Sequence, residues 1–140
     1  MDTTETLIHE SAIRRLIAEY CHHYDDKRSA EFTALFTEDA EFTVFGKSRI
    51  GRQEIHDHIA TQQPGAAPGQ HVTYNQVIDI ASDGQTARAW TDFLYLKQVD
   101  AGYAISTAGR YHDRLVRDPD RWRFKTRTIV FLGDVVPDGT

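Results

Sequence analysis

Asp25 and His71 are the two residues whose types could together abstract a proton. A histidine held by a carboxylate keeps one ring nitrogen free as a base near neutral pH. Asp25 ends the apolar pattern of a predicted helix. The helix dipole disfavours a carboxylate there, so a hydrogen-bond donor opposite Asp25 would be favourable. His71 opens a predicted strand. The alternatives are a solvated aspartate at the helix end and a histidine with a structural or surface role, since the chain has seven histidines.

Arg127 lies on the last predicted strand, where the alternation of apolar residues inverts. Trp122 and Phe124 mark the apolar face at the start of this strand, whereas Ile129 and Phe131 share the parity of Arg127. We predict a bend or bulge that brings Arg127 to the apolar side. A buried arginine requires an acidic partner or an anionic ligand. The alternative is an exposed arginine at a sheet edge.

Histidine pairs could indicate a metal site instead. His22 and His23 are adjacent on a predicted helix, and His56 and His58 are two residues apart. Neither spacing places both side chains on one helix face. We therefore predict no metal site, and proton abstraction by histidine needs no organic cofactor.

The composition is typical of one globular domain that spans residues 1–140. The net charge of −5, with no cluster of basic residues, argues against nucleic acid as a partner. No apolar run approaches the roughly 20 residues that cross a membrane. The acidic N-terminal segment lacks the layout of a signal peptide. Together with the single cysteine, Cys21, these features predict a cytoplasmic protein.

Periodicity predicts helices at the front of the chain and strands behind them. The first helix, from Glu5 to about Asp25 with Thr3 or Thr4 as its cap, has an apolar stripe of Leu7, Ile8, Ala12, Ile13, Leu16, Ile17, Tyr20 and Tyr24. We predict two further helices, one that begins with Ser29 as its N-cap and one over residues 52–62. Strands are predicted at residues 40–45, 71–81, 86–99, 103–116 and 121–132. Residues 64–69 have the composition of a loop, and Asp83-Gly84 is a hairpin signal.

These elements predict an α+β fold, a cone-shaped barrel in which the N-terminal helices cover a curved, mainly antiparallel sheet. One apolar pocket would lie between the helices and the sheet. The opposite face of the sheet would carry Trp90, Leu94 and Leu96. Because an exposed apolar patch of this kind is unusual in a monomer, we expect a homodimer or homotrimer.

Four stretches resemble the SnoaL-like branch of the nuclear transport factor 2-like superfamily. They are AIRRLIAEYCHHYDDKRSAEFTALFTEDAEF at 12–42, GRQEIHDHI at 51–59, QHVTYNQVIDI at 70–80 and GRYHDRLVRDPDRWRFKTRTI at 109–129. The resemblance covers nearly the whole chain and implies the cone-shaped fold. It does not imply one activity, because the superfamily contains lyases, isomerases, hydrolases and proteins without known catalysis.

The lyases of this branch imply roles for several residues. Asp25 resembles the aspartate that orients a histidine, and His71 resembles the general base. Tyr20 resembles a tyrosine used by the bile acid 7α-dehydratase. Arg127 resembles an arginine that lines the pocket of another lyase of this branch, the hexachlorocyclohexane dehydrochlorinase. The expected substrate contacts are Tyr24, Asn75, Phe42 and Phe131.

This resemblance implies a cofactor-independent lyase that eliminates water or another leaving group from a small apolar, cyclic substrate. Two alternatives share the pocket. An isomerase would return the proton to a different carbon, and a binding module would need the cavity without the His–Asp pair. Hydrogen-bond reach between His71 and Asp25 is the first geometric requirement of the lyase hypothesis.

Overall fold

Three helices and a six-stranded sheet make up the computed structural model, which describes residues 1–62 and 68–140. In chain order the elements are α1 (Thr3–Asp25), α2 (Ser29–Ala34), β1 (Phe36–Val44), β2 (Lys47–Ile50), α3 (Arg52–Gln62), β3 (Gly69–Ile80), β4 (Thr86–Val99), β5 (Gly102–Arg117) and β6 (Trp122–Phe131). The α+β class predicted from the sequence is confirmed.

The sheet has the strand order β2-β1-β6-β5-β4-β3. All neighbouring strands are antiparallel except β1 and β6, which run parallel. Strands β2 and β3 form its two edges. Among the described strands the sheet is therefore open, and the predicted cone-shaped fold, with N-terminal helices on a mainly antiparallel sheet, is confirmed. The helices still cover one face, so the cone has a wall that is part sheet and part helix.

Helix α1 begins two residues earlier than predicted, because Asp2 caps it. The Asp2 carboxylate accepts from the backbone N–H of Glu5, and the Glu5 carboxylate accepts from the backbone N–H of Asp2. This reciprocal arrangement is a capping box. The second cap prediction was also wrong, since Ser29 is the first helical residue of α2 and Arg28 occupies the cap position.

The apolar stripe of α1 is narrower than predicted. Leu7 and Ile8 are 58% and 62% exposed. At about 100° per residue they lie roughly 120° and 140° around the helix from Ile13. The buried side of the helix is the side of Ile13. The buried residues are Ile13, Leu16, Ile17, Tyr20 and Cys21. This side places Tyr20 against the sheet.

Strand β1 begins at Phe36, four residues before the predicted start at residue 40, and β2 was not predicted. Phe45 and Gly46 connect the two strands, both with positive φ, at 52° and 71°. An αL conformation is unusual for a bulky residue such as Phe45. Most of the predicted loop at residues 64–69 lies outside the described residues, but Gly69 within it already belongs to β3.

Two irregularities decide which side chains face the helices. In β6, Phe124 pairs with Leu115 and Thr126 with Arg114, so Lys125 bulges out. The bulge places Arg127 on the inner face, as predicted. In β3, the register shifts at Asn75, which has a φ of 49° and is exposed.

On the outer face, Trp90, Leu94 and Leu96 are half-buried within the single chain. The homodimer or homotrimer expected from them stays a prediction. None of the described helices is long and apolar enough to span a membrane.

Candidate active site

A cavity of about 180 Å³ lies between α1, α3 and the inner face of the sheet. Its walls are mainly aromatic, and the rings that line it belong to Tyr20, Tyr24, Phe42, Phe45, Phe93, Tyr95, Tyr111 and Phe131. The polar side chains among them come from both layers, with His58 and Gln62 on α3 and His71 and Thr107 on the sheet. Few polar groups in an apolar enclosure are typical of a small-molecule site.

His71 and Asp25 meet at one side of this cavity through two hydrogen bonds. The ring Nδ1 of His71 lies 2.6 Å from Oδ1 of Asp25, and the backbone N–H of His71 donates to Oδ2 at 2.9 Å. The two side chains are only 10% and 12% exposed. Because an ionised carboxylate accepts hydrogen bonds, Nδ1 carries the proton and Nε2 is the ring nitrogen that can act as a base.

The position of Asp25 explains this contact. It is the last residue of α1, where the dipole leaves a carboxylate without support from its own helix. His71, the third residue of β3, supplies both donors, its backbone N–H and its ring Nδ1. The sequence prediction that Asp25 needs a donor opposite it is therefore met.

Three tyrosine rings surround the His71 imidazole. The ring centroid of Tyr95 lies 4.6 Å away, that of Tyr24 4.8 Å away and that of Tyr20 6.2 Å away. Tyr24 and Tyr20 meet the imidazole edge-on. This packing restricts the rotation of the His71 imidazole.

Arg127 is fully enclosed and does not line the cavity. Its Nε and Nη2 donate to the two carboxylate oxygens of Asp113 at 2.7 and 2.8 Å. The guanidinium carbon lies 4.2, 3.8 and 4.2 Å from the ring centroids of Tyr20, Tyr111 and Phe124. The sequence left two partners open for a buried arginine, an acidic side chain or an anionic ligand. The structure shows the acidic side chain, Asp113. The expectation that Arg127 lines the pocket was wrong.

The charges of this buried pair are set by opposing effects. Burial lowers the pKa of Arg127, whereas Asp113 with its hydrogen bonds and the phenols of Tyr20 and Tyr111 raise it, and the net change is upward. Burial raises the pKa of Asp113, and Arg127 acts in the opposite direction. Because both bonds are short and have the fork geometry of a guanidinium–carboxylate pair, we assign an ion pair.

The buried phenols and the single thiol stay protonated around neutral pH. Burial raises the pKa of Tyr20, with Arg127 opposing the change. Burial also raises the pKa of Tyr24, to which Tyr95 and Asp25 add. For Cys21, burial raises the pKa to about 11. These tyrosines can therefore donate hydrogen bonds but do not act as bases.

His58 is a cavity residue that the sequence did not single out for this role. It projects from α3, and its ring centroid is 6.1 Å from that of Phe42. Burial lowers the pKa of His58, and Arg49 and Lys47 lower it further. A signal was present, since the residue lies about one helical turn after the buried residue Ile55.

Of the residues predicted from the sequence, Asp25 and His71 are paired, and Tyr20, Tyr24, Phe42 and Phe131 line the cavity. Asn75 does not reach it, because its side chain is exposed and donates to Asp92 at 3.2 Å. Besides His58, the lining residues that sequence reasoning missed are Val44, Phe45, Ile59, Gln62, Phe93, Tyr95, Thr107, Tyr111 and Ile129. For most of them, alternation along the strands indicates which residues share a face of the sheet. Which face points towards the helices could not be assigned before the bulges were known. Within residues 1–62 and 68–140, no three histidine, cysteine or acidic side chains group as metal ligands would.

Comparisons with known proteins agree with this architecture. The protein of unknown function Rv3472 from Mycobacterium tuberculosis superposes with a TM-score of 0.87 at 24% identity, over 94% of this chain and 76% of that chain. The "Putative Scytalone Dehydratase" of Novosphingobium aromaticivorans has a TM-score of 0.83 at 23% identity, over 99% of both chains. ActVI-ORFA from Streptomyces coelicolor has a TM-score of 0.77 at 21% identity, over 87% of this chain and 96% of that chain.

At these identities the three structures show the fold alone. A search of curated proteins gives no significant match. The family model of the SnoaL-like domain matches residues 5–128, which is most of the sequence. The chain belongs to the SnoaL-like family.

Proposed function

We propose that this protein is a cofactor-independent lyase that eliminates water from a small cyclic substrate. One observation carries the proposal, namely the paired hydrogen bonds from His71 to Asp25 at the wall of an aromatic cavity. The SnoaL-like family includes polyketide cyclases and dehydratases, which supports the reaction class.

In the proposed reaction, Nε2 of His71 takes a proton from a carbon next to a carbonyl group. Asp25 keeps the imidazole in the required tautomer and stabilises the imidazolium. The imidazolium then returns the proton to the departing hydroxyl, which leaves as water, so His71 ends neutral. Tyr20 donates a hydrogen bond to that hydroxyl, because its phenol stays protonated.

The size of the cavity limits the substrate. An enclosed volume of about 150 Å³ holds a benzene molecule. The 180 Å³ cavity therefore accommodates one six-membered ring with small substituents. Larger polycyclic compounds would have to extend past Phe45 and Phe131, whose rings stack with centroids 4.5 Å apart.

The test is a panel of cyclic β-hydroxy ketones, followed by mass spectrometry for the loss of water and by absorbance of the conjugated product. We expect His71→Gln to lower turnover at least about 10²-fold, the lower range of general-base catalysis. His56→Gln is a matched control, because His56 does not line the cavity and should retain full turnover.

Other results would contradict the lyase proposal. Product of unchanged mass with a shifted ultraviolet spectrum would identify an isomerase. Compounds that bind and are recovered unchanged would identify a binding module. Full turnover by His71→Gln would exclude His71 as the base.

A further inference from the structure

Tyr111 lies on the inner face of β5 and is completely buried. Its ring stacks on Phe93 at a centroid distance of 4.3 Å and an interplanar angle of 12°. The guanidinium of Arg127 lies over the ring at 3.8 Å, and Tyr20 meets it edge-on at 5.5 Å. Held by these neighbours, the phenol cannot turn towards solvent.

The hydroxyl of Tyr111 has no hydrogen-bond partner among the described residues, although its oxygen is buried. A buried donor without a partner is unfavourable, and such groups are uncommon in folded proteins. The same residue lines the cavity. A ligand oxygen that accepts from this hydroxyl would therefore remove a free-energy cost that the protein already bears.

We propose that the Tyr111 hydroxyl donates a hydrogen bond to a neutral carbonyl oxygen of the ligand. This proposal names the residue that binds the carbonyl oxygen of the substrate in the same cavity, and it rests on the proposed function. Tyr20 contacts both rings, at 6.2 Å from His71 and 5.5 Å from Tyr111. All three residues line the same cavity, so the base and the proposed subsite share one ligand space.

This arrangement gives Tyr111 a part in the elimination. When His71 takes the proton from the carbon beside the carbonyl group, the electron pair of the broken C–H bond moves towards the carbonyl oxygen. A fixed donor at that oxygen stabilises the developing negative charge. When the C–O bond breaks, the enolate electron pair forms the new C=C bond and the carbonyl double bond is restored. Hydroxide leaves with the bonding electrons and takes the proton from His71 as water. Burial raises the pKa of Tyr111 well above its ordinary value, so the phenol keeps its proton throughout.

The experiment measures binding of two probes of nearly equal shape, acetophenone and α-methylstyrene, which differ by a carbonyl oxygen in place of a methylene group. The Kd of each probe is measured with the wild-type protein and with Tyr111→Phe, which removes only the hydroxyl. We expect Tyr111→Phe to reduce the preference for acetophenone by about 5- to 10-fold, the range of one hydrogen bond. Its thermal stability should be unchanged or higher, because an unpaired buried hydroxyl is lost.

Thr91→Val is the matched control. Thr91 faces Tyr111 on the neighbouring strand, and its hydroxyl is also buried without a partner among the described residues. Thr91 does not line the cavity, so the probe preference should stay as in the wild type.

An unchanged preference in Tyr111→Phe, an equal loss in Thr91→Val, or no binding of either probe would overturn the proposal. A clear loss of stability in Tyr111→Phe would also overturn it, because the hydroxyl would then serve the fold. Binding is measured without turnover. If His71→Gln retains turnover while Tyr111→Phe loses its preference, the proposed reaction fails and the carbonyl subsite stands.

Discussion

Two acid–base pairs on this molecule have nearly the same hydrogen bonds and opposite surroundings. Asp25 accepts two bonds from His71 at 2.6 and 2.9 Å, and Asp113 accepts two from Arg127 at 2.7 and 2.8 Å. The side chains of the first pair are 10% and 12% exposed, and His71 lines the cavity. Those of the second are fully buried and lie outside the cavity lining.

The two pairs differ in their access to the cavity and not in their hydrogen bonds. His71 lines the cavity and has a second ring nitrogen, which in the proposed reaction exchanges a proton with the ligand. Arg127 keeps its proton and is enclosed by aromatic rings, two of which belong to the cavity residues Tyr20 and Tyr111. The second pair therefore supports two tyrosines of the cavity wall.

The largest expected effect is on the stability contributed by the enclosed pair. Replacing Asp113 with Asn leaves the Arg127 charge buried without its counterion, which should lower the free energy of unfolding by about 3–5 kcal/mol. Urea denaturation measures this change. Asp25→Asn is the comparison, with an expected loss of only about 1–1.5 kcal/mol because its surroundings are partly accessible to solvent.

A double variant sharpens this test. Asp113→Leu with Arg127→Met replaces both charges by apolar groups and should recover most of the stability lost in Asp113→Asn. Equal losses in Asp113→Asn and Asp25→Asn would show that the two pairs do not differ as their burial indicates.

The next effect is on turnover at the accessible pair. Asp25→Asn should lower kcat by about 10²-fold or more, because an amide no longer holds the imidazole in the tautomer that leaves Nε2 free. The measurement is the dehydration assay with the best substrate of the panel. Retained kcat in a folded Asp25→Asn protein would contradict an orienting role for Asp25.

The smallest effect concerns Cys21, a buried thiol whose pKa is influenced by Arg127 of one pair and by Asp25 of the other. Burial raises its pKa from 9.0 to about 11, Arg127 opposes the change and Asp25 adds to it. We expect no reaction of the native thiol with a disulfide reagent at pH 8, and full reaction in urea. With one cysteine in the chain, the signal is unambiguous.

The sign of the accompanying pH dependence follows from the raised pKa. The stability linked to the protonated thiol is present in full below about pH 9 and is lost as the pH rises towards 11. Cys21→Ala should therefore lose less stability than the wild type between these pH values, as measured by urea denaturation. Rapid labelling of the native thiol at pH 8 would show that Cys21 is accessible, against the structure.

Local patterns accounted for much of the fold. The helical spacing from Ile13 to Tyr20 predicted α1, and alternation predicted the long strands β3 to β6. The hairpin signal at Asp83-Gly84 was also right, since Gly84 has the positive φ, 69°, that such a turn favours. Two features of the strands were missed, the early start of β1 and the short β2, because neither has a pattern long enough to distinguish a strand from its flanking residues.

For the candidate site, too, local patterns in the sequence accounted for one part and the tertiary structure for the other. From the sequence alone, Asp25 could be identified as a carboxylate at a helix end that needs a donor, and Arg127 as an arginine that needs a charged partner. Both conclusions rest on local electrostatics, which depends on residue type and neighbours along the chain. Only the tertiary structure decided who the partners are, because His71 is 46 residues from Asp25 and Asp113 is 14 residues from Arg127. The bulge at Lys125 sets the face of Arg127, and a register shift of one residue would have turned it away from Asp113.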